Sequence, residues 1–390
     1  MKFLFWSEPT FETWDWTNPE TIGIGGSETS HIEMSNRLAD RGHEVWSYAP
    51  IAEKEAGRRG VRNPHNVEWF SSKHYGHAEA FRNTQADVWV IYRAPHIVDW
   101  VKENQRAWLI CQEVDYSTLT AARAERFELI VALCERHAQF LRAKLPNQAH
   151  KVIVSSNGIR TAAIREALKN PPPRNPKRLM YASSPDRGLR NLVPIFQLAR
   201  EVVPDLELHV YYGFNNIEKV IERAKENTWV KDRTQEILDL LEQPGIVNHG
   251  RMGQTALYQE WMKAGLWCHP SNFTETSCIT CMDAQALGAV PITTPTWAVG
   301  ENVKHGQFID GNIDKDDRLT RARFVLALTQ WARQPEKQEA VRAKMMPWAQ
   351  EWFDWERVVT QWVNLALEKK ASPLNFFRQV HVDMAQEVAS

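Results

Sequence analysis

The chain has 390 residues, enough for two or three domains with cores of their own, which excludes a single small module. Its 47 Lys and Arg balance 48 Asp and Glu, 43% of its residues are hydrophobic and 24% charged, a composition that excludes disordered, collagenous and membrane-embedded classes. A net charge of -1, evenly shared by the two halves, offers no general attraction for a polyanion, so any nucleic-acid contact would have to be a local patch.

No apolar run reaches the roughly 18 residues that span a bilayer, and the apolar start Phe3 to Trp6 is cut short by Glu8, too short for a signal-peptide core. A cytoplasmic protein is expected. The five cysteines (Cys111, Cys134, Cys268, Cys278, Cys281) are an odd number, and three end apolar runs, so they read as reduced core thiols. Cys278 and Cys281 form a lone CxxC. Zinc would need a second pair or two histidines at ligand spacing, and only His269 lies near.

Short apolar runs alternate with amphipathic stretches. Lys2 to Trp6, Glu44 to Tyr48, Asp87 to Tyr92, Arg106 to Cys111, Leu129 to Leu133 and Lys151 to Val154 predict strands of a buried parallel sheet. Between the first two, Ser27 to Arg41 predicts a helix capped by Ser27 and stopped by Gly42. Residues 171–177, Pro-Pro-Pro-Arg-Asn-Pro-Lys, predict a linker, since prolines remove donors and fix an extended path. After it the rhythm restarts, with strands Arg178 to Tyr181, Glu207 to Val210, Ile246 to His249, Gly265 to Cys268 and Val290 to Thr293. Helices are expected at Leu192 to Val203, Thr255 to Lys263 and Ser277 to Leu287, and beyond Leu319. This predicts an α/β fold of two doubly wound, Rossmann-like domains, 1–170 and 178–345, followed by a helical segment, 346–390. A ligand is expected in the cleft between them, where the carboxyl ends of both sheets face.

Two motifs carry chemistry. Gly23-Ile24-Gly25-Gly26-Ser27-Glu28 lies between the first strand and the first helix, where glycines admit a ligand to the backbone and the free amides favour an anion, or simply let the helix pack tightly. Position 28 is Glu rather than Gly and no acid closes the second strand, which argues against a dehydrogenase. In Phe273-Thr-Glu-Thr-Ser-Cys-Ile-Thr-Cys-Met-Asp283, Glu275 and Asp283 stand a little over two helical turns apart, with the amides of Thr276, Ser277 and Cys278 between them at a helix start. One acid could hold sugar hydroxyls, the amides a phosphate and the second acid a ribose. A capped helix with two solvated acids fits the same residues.

That second motif resembles the signature of the retaining nucleotide-sugar glycosyltransferases of GT-B fold, Glu, seven residues, Glu, with Asp283 in the second place. "GIGGSETSHIEMSNRLADRGHEV", "VIVSSNGI", "YASSPDRGL" and "GAVPITT" resemble further family segments, and the matches run from residue 2 to about 305. The resemblance implies GT-B architecture with a nucleotide-sugar donor held by Gly25, Gly26, Ser183, Arg187, Arg251, Met252, Glu275, Thr276, Ser277, Cys278 and Asp283. Glu275 and Arg187 would be catalytic, and the nucleobase would lie near Gly250 to Met252. It implies no metal, no cofactor and a front-face mechanism that needs no protein nucleophile. The family's His-Asp is replaced by Gln112 and Glu113, and its Arg ahead of Arg187 by Ala182, where Ser183, Ser184 or Arg190 could compensate.

Other candidates stay divided between function and packing. Trp14 and Trp16 could stack on an acceptor sugar or pack locally, and with Gln112 and Glu113 they make the acceptor-side set. Asp314-Lys315-Asp316 reads as helix capping rather than a metal site, His96 as a loop residue rather than a base, and Arg58, Arg59 and Arg62 as a solvated loop rather than a phosphate patch. Trp348, Trp352, Trp355 and Trp362 predict one helical stripe crossing back to the first domain. The expected activity is sugar transfer from a nucleoside diphosphate sugar to a hydroxyl acceptor, a glycan or lipid-linked glycan first and a hydroxymethylated DNA base second. Its rivals are a non-catalytic binding protein and a nucleotide-sugar epimerase.

Overall fold

Strands whose side chains are apolar on both faces need cover on both sides, and a parallel sheet flanked by helices supplies it. The computed structural model describes residues 1–8, 13–52, 60–212, 228–315 and 317–368. In chain order the elements are β1 (Lys2–Ser7), α1 (Asn18–Thr21), α2 (Gly26–Asp40), β2 (Glu44–Ala49), β3 (Val61–Arg62), β4 (Glu68–Ser71), α3 (Tyr75–Asn83), β5 (Val88–Tyr92), β6 (Ala107–Ile110), α4 (Ala121–Arg126), β7 (Leu129–Ala132), α5 (Glu135–Lys144) and β8 (Val152–Val154). There follow α6 (Thr161–Ala167), β9 (Asn175–Tyr181), α7 (Leu189–Val202), β10 (Glu207–Val210), α8 (Thr228–Leu241), β11 (Ile246–Asn248), α9 (Gln254–Lys263), β12 (Ala264–His269), α10 (Ile279–Ala286), β13 (Val290–Thr293), α11 (Trp297–Asn302), β14 (Gln307–Phe308), α12 (Arg318–Ala332), α13 (Pro335–Trp352) and α14 (Trp355–Leu367). Among the described residues no helix is long and apolar enough to cross a membrane.

The first sheet has the order β3-β4-β2-β1-β5-β6-β7-β8, parallel except for the edge strand β3, and the second β11-β10-β9-β12-β13-β14, parallel throughout. Each is doubly wound. In the first, the chain builds outward from β1 and then returns to β5 on its other side; in the second it does so from β9 and returns to β12. The strand order therefore reverses between β1 and β5 and between β9 and β12, and these are the positions where open α/β sheets bind ligands.

The chain forms two units, residues 1–16, 24–158 and 355 onward in one, residues 17–23 and 159–354 in the other. The division expected at residues 171–177 falls inside the second of these units. Ile159 is already fully buried in the second unit's core, and its amide donates to the Phe353 carbonyl at 2.7 Å. The expected linker is also corrected at its end, because β9 begins at Asn175 and includes Pro176. A proline has no ladder donor, but the pairing of β9 with β12 shifts register between Ala264 and Leu266, and a bulge of this kind accommodates it.

The tryptophan stripe is corrected as well. α13 ends at Trp352 and α14 begins at Trp355, so the four indoles do not share one helix. Trp348 and Trp352 pack on the second unit's core, while Trp355 and Trp362 are buried in the first unit's. Trp362 donates its indole N-H to Ser155 Oγ at 3.0 Å and meets Trp108 edge to face.

Candidate functional site

In the second unit, the loops that leave β9 and β12 meet at the switch point. Gly188, at φ +124°, lies so close to the Pro270 carbonyl and the Ser271 side chain that any Cβ there would force the loops apart. Asn191 Nδ2 donates to the Pro270 carbonyl at 3.1 Å, and Thr296 Oγ1 to that of Ser271 at 3.0 Å, so side chains from both flanks hold the β12 loop. On this frame the Arg187 guanidinium lies 3.4 Å over the ring centroid of Phe273, itself 37% exposed. Arg187 Nη1 is buried with no hydrogen-bond partner. His269 ends β12 against Trp267 and Tyr181, and burial together with Arg187 pushes it down to about 4, so it is neutral at pH 7.

Glu275 follows Phe273 on the same loop, its amide bonded to the Phe273 carbonyl at 2.8 Å and its own carbonyl taking the Ala298 amide at 3.0 Å. The expected helix is shorter than the pattern suggests: α10 starts at Ile279 with Cys278 as its N-cap, so Thr276 and Ser277 precede the helix. Ser277 Oγ is buried without a partner. Burial, and then the charges of Glu275 and Asp283, push the Cys278 thiol up. All five cysteines are buried and unpaired, as core thiols should be.

Asp283 is 4% exposed. Burial raises its carboxyl to about 7, against the opposing pull of Arg160 and a hydrogen bond from Gln254, and its Oδ1 has no partner. From about pH 4 to 7 the folded chain therefore keeps a proton that the unfolded chain, with a carboxyl near 3.9, has lost. Stability falls as pH rises through that window. Asp283→Asn removes the slope and is expected to be more stable than the parent at pH 8, by on the order of 4 kcal/mol, with little difference at pH 4. Denaturant unfolding at the two pH values checks this, and a variant equally destabilised at both would show a carboxylate already ionised.

Ser183 is half-buried at the start of the β9 loop, and the neighbouring Ser184 carbonyl accepts the Tyr181 hydroxyl at 2.7 Å. Ala182 packs on the core with its carbonyl bonded by Thr280, and Arg190 pairs with Glu236 at 2.9 Å. Arg251 and Met252 are half-buried on the loop into α9.

Gly25 and Gly26 belong to the first unit, where Gly25 caps α2. Ser27 does not cap it; its hydroxyl donates to Glu28 Oε2 at 2.9 Å, which places a carboxylate at the helix start where a phosphate was expected. Arg93, at φ +62° beyond β5, joins Glu28 at 3.3 Å to Glu113 at 2.6 Å, while Gln112 and Asn157 exchange amide hydrogen bonds at 3.4 and 3.3 Å. Arg93 and Arg160 went unrecognised in the sequence because both are defined by partners remote in the chain. Trp14 is corrected: at 3% exposure it is a core residue against His31 and Trp69, and Trp16 also packs on Trp69. The burial leaves no face for an acceptor sugar on Trp14.

His96 pairs with Glu8 at 2.8 Å, and Arg62 with Glu68 at 2.9 Å. Arg58, Arg59 and Asp316 lie outside the described residues. The cap of α12 is Asp317 rather than the preceding acids, while Asp314 takes a hydrogen bond from Asn191 at 2.7 Å. Among the described residues no group of three or more His, Cys, Asp or Glu could hold a metal.

No protein-family model matches the chain, and no curated protein matches its sequence. Solved structures do match its fold. Sucrose-phosphate synthase from Thermosynechococcus elongatus superposes with a TM-score of 0.63 at 13% identity, over 98% of this chain and 99% of that one. HepE from Anabaena, solved in complex with UDP and glucose, gives 0.61 at 15% identity over 94% and 99%, and a glycosyltransferase from Rickettsia africae 0.62 at 14% over 95% and 99%. The chain has the GT-B fold. Within it, Arg187 and Glu275 stand on the two loops that flank the second sheet's switch point.

Proposed function

We propose that the protein is a retaining glycosyltransferase that moves a sugar from a UDP-sugar to a hydroxyl acceptor. The observation that carries this is the presence of Arg187, with a buried and unsatisfied Nη1, and of Glu275 on the two loops at the β9/β12 switch point of a GT-B fold. The costly moment of such a reaction is departure of the diphosphate, whose charge grows as the glycosidic bond breaks. Arg187, backed by Phe273, is the cation for that charge. Glu275 orients sugar hydroxyls, Asp283 takes a ribose hydroxyl, and Ser183, Thr276, Ser277 and Cys278 line the approach. The base lies toward Arg251 and Met252. HepE, with UDP and glucose or UDP-glucose in its crystals, supports a UDP-hexose as the first donor to try.

On this assignment the leaving phosphate accepts the acceptor's proton, and no nucleophile from the protein is needed. Transfer is expected to survive EDTA, Arg187 supplying the positive charge. Loss on chelation, restored by magnesium or manganese, would overturn that assignment. The main test is UDP release from UDP-glucose in the presence of candidate glycan, lipid-linked and hydroxymethylated DNA acceptors, with the product's anomeric configuration read by NMR. An α-linked product from the α-donor supports retention. Epimerised donor without acceptor, or tight UDP binding with no turnover on any acceptor, would replace transfer by the epimerase or the non-catalytic alternative.

A further inference from the structure

Residues 17–23 belong to the second unit although the chain on either side of them belongs to the first. They form a strap. Its helix α1 packs on α9, the Thr255 hydroxyl at the start of α9 donates to the Glu20 carboxylate, and Gly253 lies so close beneath that any Cβ would collide with the Glu20 carbonyl. The other Glu20 carboxylate oxygen pairs with Arg160, the residue that precedes α6. Buried to 15% exposure, the Arg160 side chain is too costly to hold there without opposite charge on it. Glu20 supplies that charge, and Asp283 adds to it once its buried carboxyl has ionised.

Glu20 thus pairs with Arg160, Arg160 favours the ionised form of Asp283, and the Asp283 carboxyl keeps a buried oxygen, Oδ1, that nothing satisfies. Gln254, the first residue of α9, bonds the Asp283 carboxyl and also has a buried, partnerless Oε1. Two orphan acceptors at one place call for hydroxyl donors.

We propose that Glu20 and Arg160 are positioning residues of the donor site, the strap carboxylate holding the guanidinium against Asp283 so that the acid's free oxygen meets a hydroxyl of the bound nucleotide. This rests on the donor assignment made above.

The test uses the full chain, with UDP binding measured by calorimetry and steady-state transfer from UDP-glucose. Arg160→Gln is expected to weaken UDP about tenfold, with kcat at saturating donor within about threefold, because the lost contact is to the nucleotide. Arg160→Lys, which keeps the charge, should recover most of the affinity and serves if the glutamine variant misfolds. Glu20→Gln should weaken UDP about threefold. The double variant Arg160→Gln with Asp283→Asn should bind UDP no more weakly than Asp283→Asn alone, as expected for a residue acting through another. Unchanged affinity in Arg160→Gln while Asp283→Asn weakens binding, or losses that multiply in the double variant, would overturn the proposal. Parent protein that binds no UDP would instead overturn the donor assignment, a result visible before any variant is made.

Discussion

A chain ending at Asp354 is expected to lose the fold of its first unit. The helix removed, α14, buries Trp355, Val358, Val359, Trp362 and Leu365 in that unit's core. At about 1.5–3 kcal/mol for each large side chain, roughly 8–15 kcal/mol of burial goes with it, as much as the whole stability of an ordinary domain. Polar ties go too: Arg106 caps the helix end through the Leu365 and Ala366 carbonyls, and Arg37 and Arg41 hold Glu356 at 3.0 and 2.9 Å. Limited proteolysis should cut residues 1–158 first. The milder Trp362→Ala should cost about 3–5 kcal/mol and still fold at low temperature. A truncated chain whose first 158 residues resist protease as well as the parent's, up to the same temperature, would show that α14 merely lies on the surface.

The parallel strands were legible because burial on both faces leaves only apolar runs, and β1, β2, β5, β10 and β13 lie where those runs predict. The two-residue strands β3 and β14 were not, since so short a segment shows no period. Pro176 was misread because the irregularity that tolerates it, four residues of β9 against two of β12, exists only in the pairing with β12, far along the chain. The tryptophans were misread for a different reason: spacings of four, three and seven continue across the break at Phe353 and Asp354, and periodicity does not register a change of helix.

The loops that carry Arg187 and Glu275 were legible because each closely follows a buried strand, Glu275 being singled out by its motif and Arg187 only by the family resemblance. The strap was not. Asn-Pro-Glu-Thr reads as a loop, and only the pair of Glu20 with Arg160, remote in the chain, shows what it holds. Glu28 was seen only as a failed glycine, although a carboxylate next to a capping glycine competes for the same amides that a phosphate would use.

Glu275→Gln is expected to lower transfer about 10²–10³-fold while UDP binding changes less than threefold. The carboxylate is assigned to the sugar, so its loss should appear in kcat and in the affinity for UDP-glucose relative to UDP, not in UDP itself. Arg187→Ala should also fall mainly in kcat, because the guanidinium is assigned to charge that develops only as the diphosphate leaves. The structure makes the contrast sharp: Arg187 already has Phe273 beneath it and an unsatisfied Nη1, so it is placed before any ligand arrives and its contribution requires no rearrangement. Phe273→Ala should leave the charge but loosen its position, a smaller loss in kcat that Phe273→Tyr restores. If Glu275→Gln transfers sugar normally but binds UDP far more weakly, the acid belongs to the nucleotide, and Glu275 and Asp283 exchange roles.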